Sequence, residues 1–306
     1  MTETSKGLIA MVAACLIWGF SPIAFKAMTG IPPLEILAHR AVWSLLIFSA
    51  VLALQGQITA LFAVLRRRDQ LIPILIAGTL ILTGWWIFIW AIQTGRTTET
   101  ALGFYIFPLV AVLFGRVFFG EALSRTQWGA VVLVAVAVLL LTYGLGKPPW
   151  IALVLAANFA IYGAIKKRLD LGPVLSVTAE VLVLTPVALL LLWQSNVNGG
   201  GHFGGWTRET ALLVFAGPLT AVPLILFSYA ARRMTLTTTG LTSYINPTLQ
   251  FFCAVALFGE PFTGWHIQAF VLIWTALALY SASMWRQEKA RLSARKVAAA
   301  SGTNSM

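Results

Sequence analysis

Ten apolar runs, near 8–27, 34–54, 71–91, 100–119, 126–144, 150–166, 174–194, 210–230, 239–258 and 265–285, leave almost nothing of this 306-residue chain for a soluble domain. Crossing about 30 Å of hydrocarbon takes roughly 20 apolar residues in a helix. Inside lipid every backbone amide and carbonyl must be satisfied within the protein, which confines spans of this length to helices. The runs therefore predict an all-α integral membrane protein of ten transmembrane helices.

The net charge of +11 invites a nucleic-acid reading, but its placement argues against one. If the N-terminus is cytoplasmic, the inner segments hold Lys6, Arg66, Arg67, Arg68, Arg125, Lys166, Lys167, Arg168, Arg232, Arg233 and the five basic residues between Arg286 and Lys296. The outer loops hold only Arg96, Lys147 and Arg208. This bias places both termini in the cytoplasm, with no nucleic-acid partner and the bilayer as surroundings. Cys15 and Cys253 fall in different spans and read as small packing residues. Val12-Ala13-Ala14-Cys15 resembles a lipoprotein cleavage box, but the apolar run continues through Phe20, so no cleavage is expected. Residues 286–306, polar and basic, are expected to form a disordered cytoplasmic tail.

One phrase occurs twice. YIFPLVAVLFGRVFFGE at 105–121 returns as YINPTLQFFCAVALFGE at 244–260, with Tyr, Ile, Pro, Phe, Gly and Glu in register. Pro32, Leu34 and Ala38 recur at a similar offset as Pro173, Leu175 and Ala179, which sets His39 opposite Glu180. Ile17-Trp18-Gly19 is answered by Ile161-Tyr162-Gly163. The chain thus reads as two copies of one unit, 1–145 and 146–285. Each copy has five spans, an odd number, so the copies lie in the bilayer with opposite orientation. Inverted repeats of this kind mark secondary transporters that alternate access around a midplane site.

Within the spans, prolines, ionisable groups and aromatic rings carry the chemistry. Pro22, Pro108, Pro186, Pro218, Pro223 and Pro247 each lack an amide hydrogen and free a carbonyl one turn earlier. The repeated pair Pro108 and Pro247 is the pointer to a substrate site. A charge at a helix centre costs about 2.5–3.5 kcal/mol on insertion scales. Lys26 and Arg116, near span ends, are expected to snorkel; Glu35, His39, Arg40 and Glu180 lie deeper. Glu35, His39 and Trp43 are spaced by four on one face. An imidazole near a carboxylate can carry a proton, making His39 and Glu180 the coupling candidates, with neutralisation of buried charge as the alternative. Arg40 lies off that face, able to receive an anionic group or to pair with Glu35 or Glu180.

Trp18, Trp85, Trp90, Tyr105, Tyr162, Tyr229 and Tyr244, with Asn246 beside Pro247, are the cavity candidates, since rings with a polar handle suit an amphipathic organic molecule. Trp128, Trp150, Trp206, Trp265 and Trp285 fit interfacial belts. Ala152, Ala156, Ala160 and Ala164 form a small-residue stripe for close helix packing. No HExxH, GxSxG, Walker or Cys-His metal spacing occurs, which disfavours a protease or an ATP-driven pump, and no metal or cofactor is expected.

VAACLIWGFSPIAFK at 12–26, EILAHRAVWS at 35–44, FIWA at 88–91, ALGFYIFPL at 101–109 and VPLILFSYAARRMTLTTTGLTSYINPTLQFF at 222–252 together resemble the EamA-type RarD branch of the drug/metabolite transporter superfamily. The resemblance runs from the first span to the tenth. It implies a bacterial inner-membrane permease of two five-helix repeats, with a cavity lined by spans 1, 3, 4, 6, 8 and 9 and with spans 5 and 10 as outer scaffold. It also implies an amino acid-like, aromatic or drug substrate such as chloramphenicol. Phe107 departs from the branch, which often carries Asn there. The expectation is a permease, acting outward and coupled to protons through His39 or Glu180. The alternative, an integral membrane enzyme acting on lipid-linked substrates, would need carboxylates and histidines clustered at one membrane face.

Overall fold

A computed structural model describes residues 2–120, 122–169 and 171–302; for residues 119, 236, 237, 287, 288, 291, 292 and 294–302 it describes the backbone only. The chain forms α1 (Glu3–Ala27), α2 (Pro33–Leu54), α3 (Ile58–Arg66), α4 (Arg68–Gln93), α5 (Thr97–Phe119), α6 (Arg125–Leu145), α7 (Trp150–Arg168), α8 (Pro173–Val197), α9 (Arg208–Ala231), α10 (Leu236–Ser243), α11 (Ile245–Phe252) and α12 (Gly264–Gly302). A π turn, Cys253–Leu257, continues α11. No strand occurs among the described residues.

Among the described residues, nine helices are long and apolar enough to cross a membrane. The tenth pass, expected as one helix over 239–258, is assembled from α10, α11 and the π turn. The break at Tyr244 has a local cause. Pro247 has no N–H to give Ser243, so the ladder lapses there and resumes with Thr248 N–H donating to the Tyr244 carbonyl. Pro22 frees the Trp18 carbonyl in the same way, and the Ser21 hydroxyl donates to it at 2.7 Å.

Helix starts repeat between the halves. α2 and α8 both open on a proline, Pro33 and Pro173, whose fixed φ suits the first helical position. Packing repeats as well. α1 lies on α9 and α11, while its counterpart α7 lies on α4 and α5; α2 lies on α9, while its counterpart α8 lies on α4. α2 with α8, α5 with α11, and α6 with α12 meet across the pseudo-dyad. The fold is thus two inverted five-helix repeats.

Close approach between the repeats relies on glycine and alanine. A Cβ on Gly103 of α5 would sit 3.1 Å from the Ala152 Cα of α7, which explains the alanine stripe on that helix. On the matching contact, a Cβ on Gly19 of α1 would meet the Leu249 Cβ of α11 at 2.6 Å.

One expectation is revised. The tail from 286 is helical as far as Gly302, because its Ala, Arg and Lys residues are strong helix formers. The connection after α2 carries the amphipathic α3, which buries Leu61 and presents Phe62 outward. Cys15 and Cys253 are free and buried.

Candidate functional site

The repeated phrase encloses a cavity. A space of about 330 Å³ lies between α5, α10, α11 and α12, walled by Phe104, Phe107, Pro108, Tyr244, Asn246 and Pro247, and by Tyr280, Ser281 and Met284 of α12. Both duplicated prolines stand on it. Asn246 supplies its amide on one side, accepting at Oδ1 from Gln250, while its counterpart Phe107 makes the facing wall apolar. α12, expected only as scaffold, contributes three lining residues, Tyr280, Ser281 and Met284. A larger space of about 480 Å³ between α2, α4 and α8 is walled by residues such as Leu34 and Val187 that are exposed on the outside of the bundle. That one is an apolar groove on the lipid-facing surface.

The remaining cavity candidates occupy other places. Tyr105 is buried behind the wall, its hydroxyl hydrogen-bonded to Thr248 at 2.7 Å and its ring stacked on Tyr244. Trp18 packs on Phe227. Trp90 and Trp150 pack together at the helix ends under the Arg96 guanidinium, which is held by Glu99. Tyr229 is partly exposed beneath Arg233. Tyr162 donates to Glu180 at 3.0 Å rather than facing a cavity.

Glu180 is wholly buried and fully engaged. It accepts from Lys166 Nζ at 2.6 Å, the Ser176 hydroxyl at 2.8 Å and the Tyr162 hydroxyl. Lys166 reads in sequence as one of the inner basic charges, and nothing in the sequence marks Glu180 as its partner; Ser176 and Glu180, four residues apart on α8, share the face that meets it. Glu35 is equally committed, accepting from the backbone N–H and the ring Nδ1 of His202 at 2.7 and 2.9 Å. The imidazole hydrogen-bonded to Glu35 is therefore His202, contributed by the loop before α9, and not His39. His39 instead stacks on Phe203, and its Nε2 has no partner among the described residues.

Arg40 pairs with neither carboxylate. Its Nε donates to the Thr220 hydroxyl at 2.6 Å, and its guanidinium lies 4.2 Å from the Trp85 ring centre and 5.4 Å from that of Phe25. Phe25, Phe88 and Phe104 follow one another at ring separations of 6.0 and 5.9 Å, so a chain of ring contacts runs through the core from Arg40 to Phe104, which lines the 330 Å³ cavity. Phe25 and Thr220 are not conspicuous in the sequence; only the packing of α1 and α9 on α2 brings them to Arg40.

An inverted pair of five-helix units, with matched prolines lining a cavity between their helices, defines the class of multi-pass membrane transporters. The chain belongs to the EamA-like transporter family, whose model matches it twice, over residues 5–143 and 148–282. It is 39% identical over 302 residues to the protein RarD of Streptomyces exfoliatus, covering 95% of this chain and 94% of that one. It is 38% identical over 283 residues to the uncharacterized transporter PA0485 of Pseudomonas aeruginosa, covering 92% and 95%. A solved structure titled "Crystal structure of protein" shares the fold with a TM-score of 0.62 at 19% identity, over 93% of this chain and 99% of that one.

Proposed function

We propose that this membrane transporter moves a small amphipathic or aromatic organic molecule outward across the bacterial inner membrane by alternating access, the units 1–145 and 146–285 rocking about the shared site. The carrying observation is that Pro108 and Pro247, related by the inverted repeat, stand on one cavity with Tyr244 and Asn246. A volume near 330 Å³ suits a metabolite of amino acid size, an aromatic metabolite or a small drug such as chloramphenicol. The bias of Lys and Arg supports cytoplasmic termini. His39, with its free Nε2, and Glu180 are the groups proposed to carry a coupled proton.

The enzyme alternative has little to recommend it. Glu35, Glu180 and Glu260 are held by three separate sets of partners, and none faces another as a catalytic pair would. The test is flux: purified protein in sealed liposomes should catalyse counterflow of a solute from a panel of aromatic metabolites and drugs. Absence of flux for every member sinks the transport reading. Metabolite profiling of medium and cells with and without the gene selects that panel.

A further inference from the structure

Resting on the transport reading, we propose that Arg40 is the docking point for an anionic group of the substrate, so that the transported molecule is an aromatic carboxylic acid or its chemical equivalent. Arg40 is 5% exposed, and it has no ion-pair partner among the described residues. Its Nη1 is buried without a hydrogen-bond partner there, and the one group that it meets is a neutral hydroxyl, Thr220. A buried cation without a counter-charge is costly, and inside a membrane such groups line substrate paths. Trp85 and Phe25 soften that cost through their ring faces but leave the guanidinium edge free to take a carboxylate. The contacting rings of Phe25, Phe88 and Phe104 then run from Arg40 to the cavity wall through the core, so that the apolar body of the same molecule would meet aromatic rings on that route once the helices part in alternating access.

The pairing of the nearby acids refines the class. Glu35 is held by His202 and Glu180 by Lys166, so neither is spare to receive an ammonium group. A net anion is favoured over a zwitterion: phenylacetate should bind better than phenylalanine, and both better than the neutral phenylacetamide.

The experiment uses the full chain in lipid nanodiscs, with binding of radiolabelled phenylacetate and indole-3-acetate competed by phenylacetamide, phenylalanine and benzylphosphonate. The wild type should bind the acids about ten- to a hundredfold more tightly than the amide, the usual worth of a hydrogen bond to a charged group. Arg40→Met should lose that preference and Arg40→Lys keep part of it. Thermal stability supplies a readout that a structural role would not move in this direction. Without ligand, Arg40→Met should melt higher than the wild type, because an uncompensated charge is gone; with phenylacetate, only the wild type should gain.

The inference is overturned if none of the acids binds saturably, if the amide binds as well as the acid, or if Arg40→Met is destabilised and keeps the acid preference. Counterflow of chloramphenicol in liposomes separates this failure from that of the transport reading. Flux of a neutral solute that ignores Arg40→Met leaves a transporter without the acid site. Arg40-dependent binding without flux of any solute leaves the acid site without transport.

Discussion

The Glu260 carboxylate accepts a hydrogen bond from the backbone N–H of Thr97 at 2.6 Å, across 163 positions of sequence. Its other oxygen takes the N–H and hydroxyl of Thr98 at 2.7 Å, so the first turn of α5 is capped by a residue from the opposite repeat. This accounts for the Gly-Glu that ends the repeated phrase. Gly259 adopts φ 66°, a conformation that costs glycine little, and the turn aims Glu260 at α5. Gly120 ends α5 with φ 67°; Glu121, which the repeat leads one to expect at the cytoplasmic end of its helix as Glu260 is at the outer end, lies outside the described residues. Glu260→Ala should lower stability by about 2–3 kcal/mol, the cost of orphaning buried donors that had a charged acceptor, with Glu260→Gln intermediate. Thermal melting in detergent checks the order wild type, Gln, Ala; an alanine variant as stable as wild type would remove the cap from the account.

Gly19 and Gly163 are sequence counterparts that the packing separates. A side chain on Gly19 collides with Leu249 of α11, whereas nothing lies within 4 Å of a Cβ on Gly163. Gly19→Val should therefore sharply reduce folded yield, by overpacking worth about 1–3 kcal/mol. Gly163→Val should be close to neutral. Monodispersity on size exclusion after membrane extraction reads both, and equal behaviour of the two variants would contradict the packing.

How much of this is legible from sequence depends on the range of the interaction. The spans follow from apolar runs, and the inverted repeat from the phrase at 105 and 244, because both are written locally. The Pro108 and Pro247 pair is legible for the same reason. Partner choice is not. Glu35 carries no mark that it will meet His202, nor Lys166 that it will meet Glu180, because these pairings depend on how α2, α7 and α8 pack and on where the loop before α9 returns. Tyr162 and Trp90 illustrate the opposite error. An aromatic ring with a polar handle looks the same in sequence whether it faces a cavity, a buried carboxylate or a helix end.

Glu180 and Lys166 form a buried pair, and breaking it from one side should cost more than removing it. Glu180→Gln leaves Lys166 with an unmatched charge and should destabilise by about 3–5 kcal/mol. Lys166→Met combined with Glu180→Leu should recover much of the loss. If the double variant is no better than the single one in a thermal melt, the two residues are not energetically coupled.

Transport at several pH values distinguishes the two proposed proton carriers. His39 has an Nε2 without a partner among the described residues, against Phe203, so that atom can take a proton without breaking a hydrogen bond there, whereas a proton on Glu180 must go to an oxygen that already accepts, Oε1 from Lys166 and Ser176 or Oε2 from Tyr162. His39→Gln should therefore flatten the pH profile of flux while leaving melting near that of wild type. Glu180→Gln should lower stability as well as flux. A His39→Gln protein with an unchanged pH profile would exclude His39 as the carrier.

Tyr244 joins the cavity to the core behind it, since one face of its ring is on the cavity wall and the ring stacks on Tyr105 at 6.4 Å. Two substitutions separate those roles. Tyr105→Phe removes the hydroxyl that bonds Thr248 and Trp274 and leaves the ring in place, at about 0.5–1.5 kcal/mol per bond, and should lower the melting temperature slightly with substrate affinity unchanged. Tyr244→Ala opens the wall where Pro108 and Pro247 converge, and should weaken substrate affinity about tenfold or more, the loss of one aromatic contact in a pocket, while yield falls less. Concentration dependence of counterflow beside yield from the same preparations reads both. If Tyr244→Ala halves yield with no change in the half-saturating concentration, the ring is structural and the cavity between the two prolines is not where the substrate rests.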